Sequence, residues 1–430
     1  MVLGGGGSPA PLPELLVELF ALLALGIWLL APSIPGRNNP PDFPLWVGIA
    51  AFVSIPLIQL VPLPPALWHA LPGRDGEIAA LNIIGQADSW RPISLSPYMT
   101  LASMLSLIPS IVILFVVSRL SLVERAQVLG AISIIGLTAG LVGMLQVASG
   151  NGQWFLLYAH QSPGFATGFQ ANRNAGADVF LITIIAVASY CATRRSLIKD
   201  ALGKLLLAAT VVFLILITVL TGSRAGTTLI PFAIGPGIFA LLTGKRIGRG
   251  LFAGTGIVVI VVLGLTAATW NNAQIDRTWT RFSRQSEARP DLWRDTIFAI
   301  GQTAPVGSGL GTFAPVMTAV ERLEVVDTTM PNRAHDDYLE FCLETGLVGI
   351  VTLLGILLAL SLRAYCVLRT TRSNRQRVQV IAGLGFLGIL GLHSIVDYPM
   401  RSMAVAGLAA IGIGMLSRVA VGRGEDRESV

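Results

Sequence analysis

The run Arg333-Ala-His-Asp-Asp-Tyr-Leu-Glu340, continued by Phe341-Cys-Leu-Glu-Thr-Gly-Leu-Val-Gly349, places an imidazole and several carboxylates where a polar stretch becomes a long apolar helix. His335 is one of only four histidines in the chain. Imidazole is the side chain whose unperturbed charge change falls near neutrality, so at a water–lipid boundary it suits proton transfer. The plainer reading of the same residue is a helix-start cap or polar boundary group. Asp336, Asp337 and Glu340 favour its charged form, whereas the positive end of the following helix disfavours it, and the net sign stays open. Glu344 falls on roughly the same helix face as Asp337 and Glu340, and deeper in the membrane.

Two arginines invite a second kind of chemistry. Thr221-Gly-Ser-Arg-Ala-Gly226 joins two apolar runs with almost no connector, which holds Arg224 at the edge of the bundle. A charge near the bilayer centre costs about 2.5–3.5 kcal/mol on insertion scales, so one embedded there usually has a partner or a task. Arg224 reads either as a snorkelling anchor or as an anion site, since guanidinium matches phosphate geometry and keeps its charge. Arg289 is ambiguous in the same way, a solvated loop residue or the second arm of such a site.

The elements that must position these groups follow from composition. Of 430 residues, 53% are hydrophobic and 13% charged, and the mean hydropathy is +0.70. A soluble domain carries about 25% charged residues. Apolar windows near 20 residues, the length that spans a hydrocarbon core, recur throughout. The expected fold is all-α, a polytopic transmembrane bundle of about 11 spans, with 10 to 12 compatible with the pattern. The spans fall near 15–31, 45–61, 101–118, 126–148, 174–192, 204–221, 226–243, 251–269, 338–362, 380–397 and 402–420. The net charge of +6 collects in short connectors (Arg194, Arg195, Lys199; Lys245, Arg246, Arg249; Arg363 to Arg377), as the positive-inside rule requires, and not in a nucleic-acid patch. Segments 149–173, 222–225, 270–337 and 398–401 then face outward, together with the glycine-rich N-terminus. Gly136, Gly140 and Gly143 offer a small-residue face for close helix packing.

Two outer segments are long enough to fold. Tryptophans and prolines in 62–100, including Trp68 and Trp90, suggest a segment lying at the headgroups, with Ser96 or Pro97 opening the next span. Within 270–337, Arg289-Pro-Asp-Leu-Trp-Arg-Asp-Thr-Ile-Phe-Ala-Ile300 reads as an amphipathic helix with Leu292, Trp293, Ile297 and Ile300 on its apolar face. Gly301 to Gly311 then makes a flexible return. Cys191, Cys342 and Cys366 lie in or beside spans and would not meet, and His69, His160 and His393 lack ligand spacing, so no disulfide and no metal site is expected.

These residues resemble the O-antigen ligase and O-antigen polymerase superfamily of bacterial envelope glycosyltransferases. The marks are SRAG at 223–226, RPDLWRD at 289–295, PVGSGLGTF at 305–313 and HDDYLEFCLETGLVG at 335–349, with GFQANRN at 168–174 and HSIVDYP at 393–399. The family commonly has asparagine where Asp336 stands. The resemblance implies a multi-pass enzyme of the bacterial inner membrane, with its site facing the periplasm, that moves a glycan from undecaprenyl diphosphate to an acceptor hydroxyl. It implies no cofactor and no metal. His335 would be the general base, Arg224 and Arg289 would hold the diphosphate, and Asp336, Asp337 or Glu340 would orient the imidazole. Asn172 and Arg173 would help bind sugar or phosphate.

On this reading residues 1–150 are N-terminal spans, 151–420 the catalytic membrane domain with its periplasmic loop 270–337, and 421–430 a cytoplasmic tail. Transfer to lipid A-core, as by a ligase, is favoured over polymerisation onto a second lipid-linked glycan and over a protein O-oligosaccharyltransferase. A lipid-linked glycan transporter is the reading from another class. It calls for mid-membrane charges and repeat symmetry, which the sequence does not display. The transferase requires His335, Arg224 and Arg289 to converge within roughly 10–15 Å.

Overall fold

The computed structural model describes residues 1–6, 11–30, 42–149, 155–159, 161, 163–244, 289–326 and 330–419. The expected span at 251–269, the first part of the outer loop (270–288) and the tail 421–430 lie outside the described residues.

The chain is an all-α polytopic membrane protein. Seven described helices are long and apolar enough to cross a membrane: Leu12–Leu30, Pro97–Arg119, Leu122–Ala148, Arg173–Thr193, Ala201–Leu220, Arg224–Leu242 and Asp337–Thr370. Phe43–Gln59 and Met403–Met415 are apolar but shorter, and Asn374–His393 completes the set. The helix starts follow capping rules. Ser121 and Glu124 form a reciprocal capping box, and Asn172, Asp200, Ser223, Asp336 and Ser373 each accept a first-turn N–H.

The Arg173–Thr193 helix is the central post, with every side chain from Ala175 to Ser189 buried. Lipid tails are as apolar as leucine, so close contact and van der Waals packing hold such a bundle together. Gly136 of the Leu122–Ala148 helix sits where any Cβ would collide with Thr183, and Gly226 where one would collide with Ala177. The resulting core joins Phe180, Ile184, Leu214, Ile230, Phe386 and Leu408.

Several boundaries move from their expected places. The span near 101–118 is two helices, Pro97–Leu105 and Ile108–Arg119, which meet at Ser106–Leu107. Ser96 is the N-cap of the first, as expected. The helix expected at 380–397 ends at His393, so the connector to the next helix runs from Ser394 to Ser402. The 62–100 segment is more folded than a headgroup-level strip. Pro62–Leu63 pairs antiparallel with Arg91–Pro92, and the helices Pro65–Trp68 and Asp75–Ile83 lie between. Trp68 is fully buried under it, whereas Trp90 is exposed.

The N-terminal residues lie at the same end of the bundle as His335. The Gly4 carbonyl accepts the Ala404 N–H at 3.0 Å, and the Gly5 carbonyl accepts that of Ala171 at 2.8 Å. A Cβ on Gly5 would collide with the Phe169 carbonyl.

Candidate active site

The long helix that follows His335 is broken. Gly346 has φ 60° and ψ −155°, outside helical space, and splits Asp337–Thr370 into a short first piece and a long second one. A helix break strands carbonyls that need other donors. The glycine-rich return supplies them: Ser308 N–H donates to Leu343 O at 3.0 Å and Gly309 N–H to Glu344 O at 2.9 Å. Gln59, at the end of another helix, adds a bond from Nε2 to Glu344 O at 2.8 Å and accepts the Leu310 N–H at 2.9 Å. Residues 301–311 are therefore a fixed clamp and not a flexible return. A run of exposed apolar residues begins beyond the break, with Leu347, Val348, Val351, Leu354 and Leu358 all exposed. Glu344 lies before it, on the His335 side.

One arginine organises the short first piece. Arg401, from the connector, lies 2.8 Å from Glu344 Oε2, 3.2 Å from Glu340 Oε1 and 3.8 Å from Asp337 Oδ1. These three carboxylates share a helix face by their i, i+3 and i+7 spacing. Arg333 also binds Glu340, at 2.9 Å. Asp336 is the helix cap, accepting the N–H groups of Tyr338 and Leu339. All the carboxylates expected to orient His335 are thus engaged elsewhere.

His335 turns away from them through a left-handed backbone, φ 52°. That conformation costs about 1–3 kcal/mol for a non-glycine residue and persists where its surroundings hold it. Here Trp293 Nε1 donates to the Ala334 carbonyl at 3.0 Å, and the Ala334 N–H donates to Glu340 at 3.0 Å. The imidazole Nδ1 lies 3.1 Å from Asp397 Oδ1, its side chain 32% exposed against 4% for the aspartate. Burial alone would raise the Asp397 pKa. Hydrogen bonds from His335 and Asn174, with the nearby His393, bring it below its ordinary value, so Asp397 is an anion. Tyr398 lies edge-on to His335 with ring centroids 4.9 Å apart. Burial, then the Asp397 charge, pushes its phenol up to about 12.

Asn172 caps the Arg173–Thr193 helix through Asn174 N–H and also donates to the Tyr398 hydroxyl at 3.3 Å. Arg173 lies over the Phe165 ring at 5.2 Å. A small cavity behind the pair is lined by Gly5, Gly6, Asn172, Asp397, Tyr398 and Arg401.

The two arginines come from different elements. Arg289 opens the helical stretch 289–303 and donates from Nη1 to the Val396 carbonyl at 2.8 Å, next to Asp397. The buried face of that stretch is Asp295, Thr296, Ala299 and Thr303, with Leu292 and Ile300 packed beside it. Ile297 is exposed, contrary to the expected apolar face, because Asp295 turns inward to bind Arg322 at 2.5 Å. Arg224 is the first helical residue after the Ser223 cap and lies within electrostatic range of Arg289. A guanidinium within electrostatic range of a second one, with a half-buried imidazole backed by a carboxylate on the same connector, is a combination that can hold an anion and move a proton.

A bundle of membrane-spanning helices with this cluster at one end defines a polytopic membrane protein with a candidate transfer site. Residues 209–354 match the family model described as O-antigen ligase. The matched stretch contains Arg224, Arg289 and His335 but ends before Asp397. No curated protein matches the chain.

Asp397 and Arg401 are the residues that sequence reasoning missed. Their signal was the polar run Asp397-Tyr-Pro-Met-Arg401 after an apolar helix, an ion pair's worth of charge in a connector too short to need it.

Proposed function

We propose that the protein transfers a glycan from undecaprenyl diphosphate to an acceptor sugar hydroxyl at the periplasmic face of the inner membrane, as an O-antigen ligase acting on lipid A-core. The observation that carries this reading is the convergence of Arg289 and His335 on adjacent residues of one connector, Val396 and Asp397. The superfamily match over residues 209–354 supports the reaction class.

In the proposed step the acceptor oxygen attacks the anomeric carbon opposite the diphosphate. The new carbon–oxygen bond forms as the bond to the diphosphate breaks, and the bonding pair leaves with the diphosphate oxygen. The acceptor proton goes to His335 Nε2, the ring nitrogen that Asp397 does not hold. Asp397 fixes the imidazole and balances the imidazolium that results, a role typically worth about 10²–10⁴-fold together with the base itself. Arg224 and Arg289 take up the charge that builds on the diphosphate, which is stabilisation specific to the transition state. In-line attack inverts the anomeric centre.

The test is transfer in vitro from purified undecaprenyl-diphosphate glycan, given either lipid A-core or further donor alone. Wild type and His335→Ala are run side by side without divalent metal. Product on lipid A-core that vanishes in the variant supports the ligase reading, and longer lipid-linked chains from donor alone make the protein a polymerase. Full activity in the variant removes His335 from the mechanism.

A further inference from the structure

Asp178 sits in the central post, about one turn along the helix from Asn174, among side chains that are all buried. A carboxylate at such depth is costly and calls for a partner. That partner is His393, the last residue of its helix, with Nδ1 2.6 Å from Asp178 Oδ1 and both side chains fully buried. Among the described residues, Asp178 Oδ2 and His393 Nε2 have no hydrogen-bond partner. The proposed chemistry makes no use of either group.

Their position gives them one. The His393 carbonyl accepts the N–H groups of both Val396 and Asp397, each at 3.0 Å, so His393 anchors the turn that carries both site contacts. Its imidazole lies within electrostatic range of Asp397 and Arg289. The charged groups facing it are therefore Asp178 from the post, Asp397 from the connector and Arg289 from the outer loop.

We infer that His393, ion-paired to Asp178 as an imidazolium, is a positioning residue that sets a fixed positive charge behind the Asp397 carboxylate. The short contact suits a charge-assisted bond. Beside an ionised Asp178, a neutral imidazole would leave a buried charge uncompensated, which is the expensive arrangement. Asp178, Asp397, His393 and Arg289 then sum to zero before the reaction. The cluster gains one positive charge when His335 takes the acceptor proton, at the moment the leaving diphosphate gains negative charge.

This role rests on the transfer reading, and its test separates the two. Histidine-selective ¹⁵N labelling suits a chain with only four histidines. In wild type without substrate, the signal lost in His393→Gln should show both nitrogens protonated through the neutral range, and Asp178→Asn should abolish that state. In the transfer assay, both variants should move the acid limb of the rate profile to higher pH by roughly half to one unit, because a nearby positive charge has been removed from His335. A purely structural role would lower the rate without moving the limb. A neutral His393 in wild type, or unchanged profiles in both active variants, overturns the inference. Absence of transfer by wild type overturns the transfer reading instead, whatever the spectrum shows.

Discussion

Arg401 lies 2.8 Å from Glu344, across 57 residues of sequence, and so pins the 394–402 connector to the helix piece that follows His335. Glu340 and Glu344 are both fully buried, and Arg401 is the cation they share. Removing one partner of a buried pair leaves an uncompensated charge, at a cost of about 3–5 kcal/mol. Arg401→Met should therefore lower the thermal midpoint in detergent sharply, and Glu344→Gln less, because Arg401 keeps Glu340. An unchanged midpoint in Arg401→Met would show that the carboxylates are neutral.

Asp397→Asn should leave the fold in place, since the amide is isosteric, yet slow transfer by about 10²-fold or more through loss of the imidazole's orientation and counter-charge. The effect should fall on kcat and not on KM. A variant with normal kcat would leave the aspartate without a part in the chemistry.

The acid side follows from the same residue. The Asp397 pKa is held below its ordinary value in the folded protein, so the unfolded state binds the proton first as pH falls. Its stabilisation is present above the ordinary carboxylate pKa of about 3.9 and is lost as pH drops through the lower folded value. Acid unfolding of wild type should carry this limb below about pH 4, and Asp397→Asn should lack it. Identical acid curves for the two proteins would contradict the assignment.

Gly346→Ala places a side chain at φ 60°, where its Cβ would collide with the Pro305 carbonyl of the clamp. Both backbone strain and the collision oppose it, and a loss above about 1–3 kcal/mol is expected. Proteolysis at 301–311 should become faster in the variant if the clamp has opened, and equal rates would argue against the clamp.

Arg289→Lys keeps the charge but loses the planar fork, and Arg289→Ala loses both. Transfer should fall in that order, with the alanine variant down by about 10²-fold in kcat/KM. Combining it with Arg224→Ala should cost less than the product of the single losses, because the two share one anion. Multiplicative losses would place the arginines in separate sites.

Local grammar explains what could be read in advance. Ser223, Arg224 and Gly226 follow one another as cap, first helical residue and close-contact position, so their roles are written within four residues. The partner of His335 could not be read this way. Three carboxylates stand within five residues of it, and the one it uses is 62 residues away. The nearer ones cap the helix or turn with its face toward Arg401, while the left-handed backbone at His335 points the imidazole out of their reach. The break at Gly346 was equally hidden, because a glycine inside an apolar run is compatible with an unbroken helix. It declares itself only when the return beyond Pro305 arrives to take the freed carbonyls.

The contact between Gly4 and the start of the last described helix has a temporal meaning. Gly4 and Ser402 are 398 residues apart, and they fasten the connector that carries Asp397 and Arg401. Ribosomes add about 5–20 residues per second, so roughly 20–80 s separate the synthesis of the two halves of this joint. Until then the earlier helices can insert, yet Asp397 has no fixed place and His335 no counter-charge. The joint that fixes the connector can therefore form only after Ser402 has been made, and a nascent chain halted before it would hold His335 without its fastened partner.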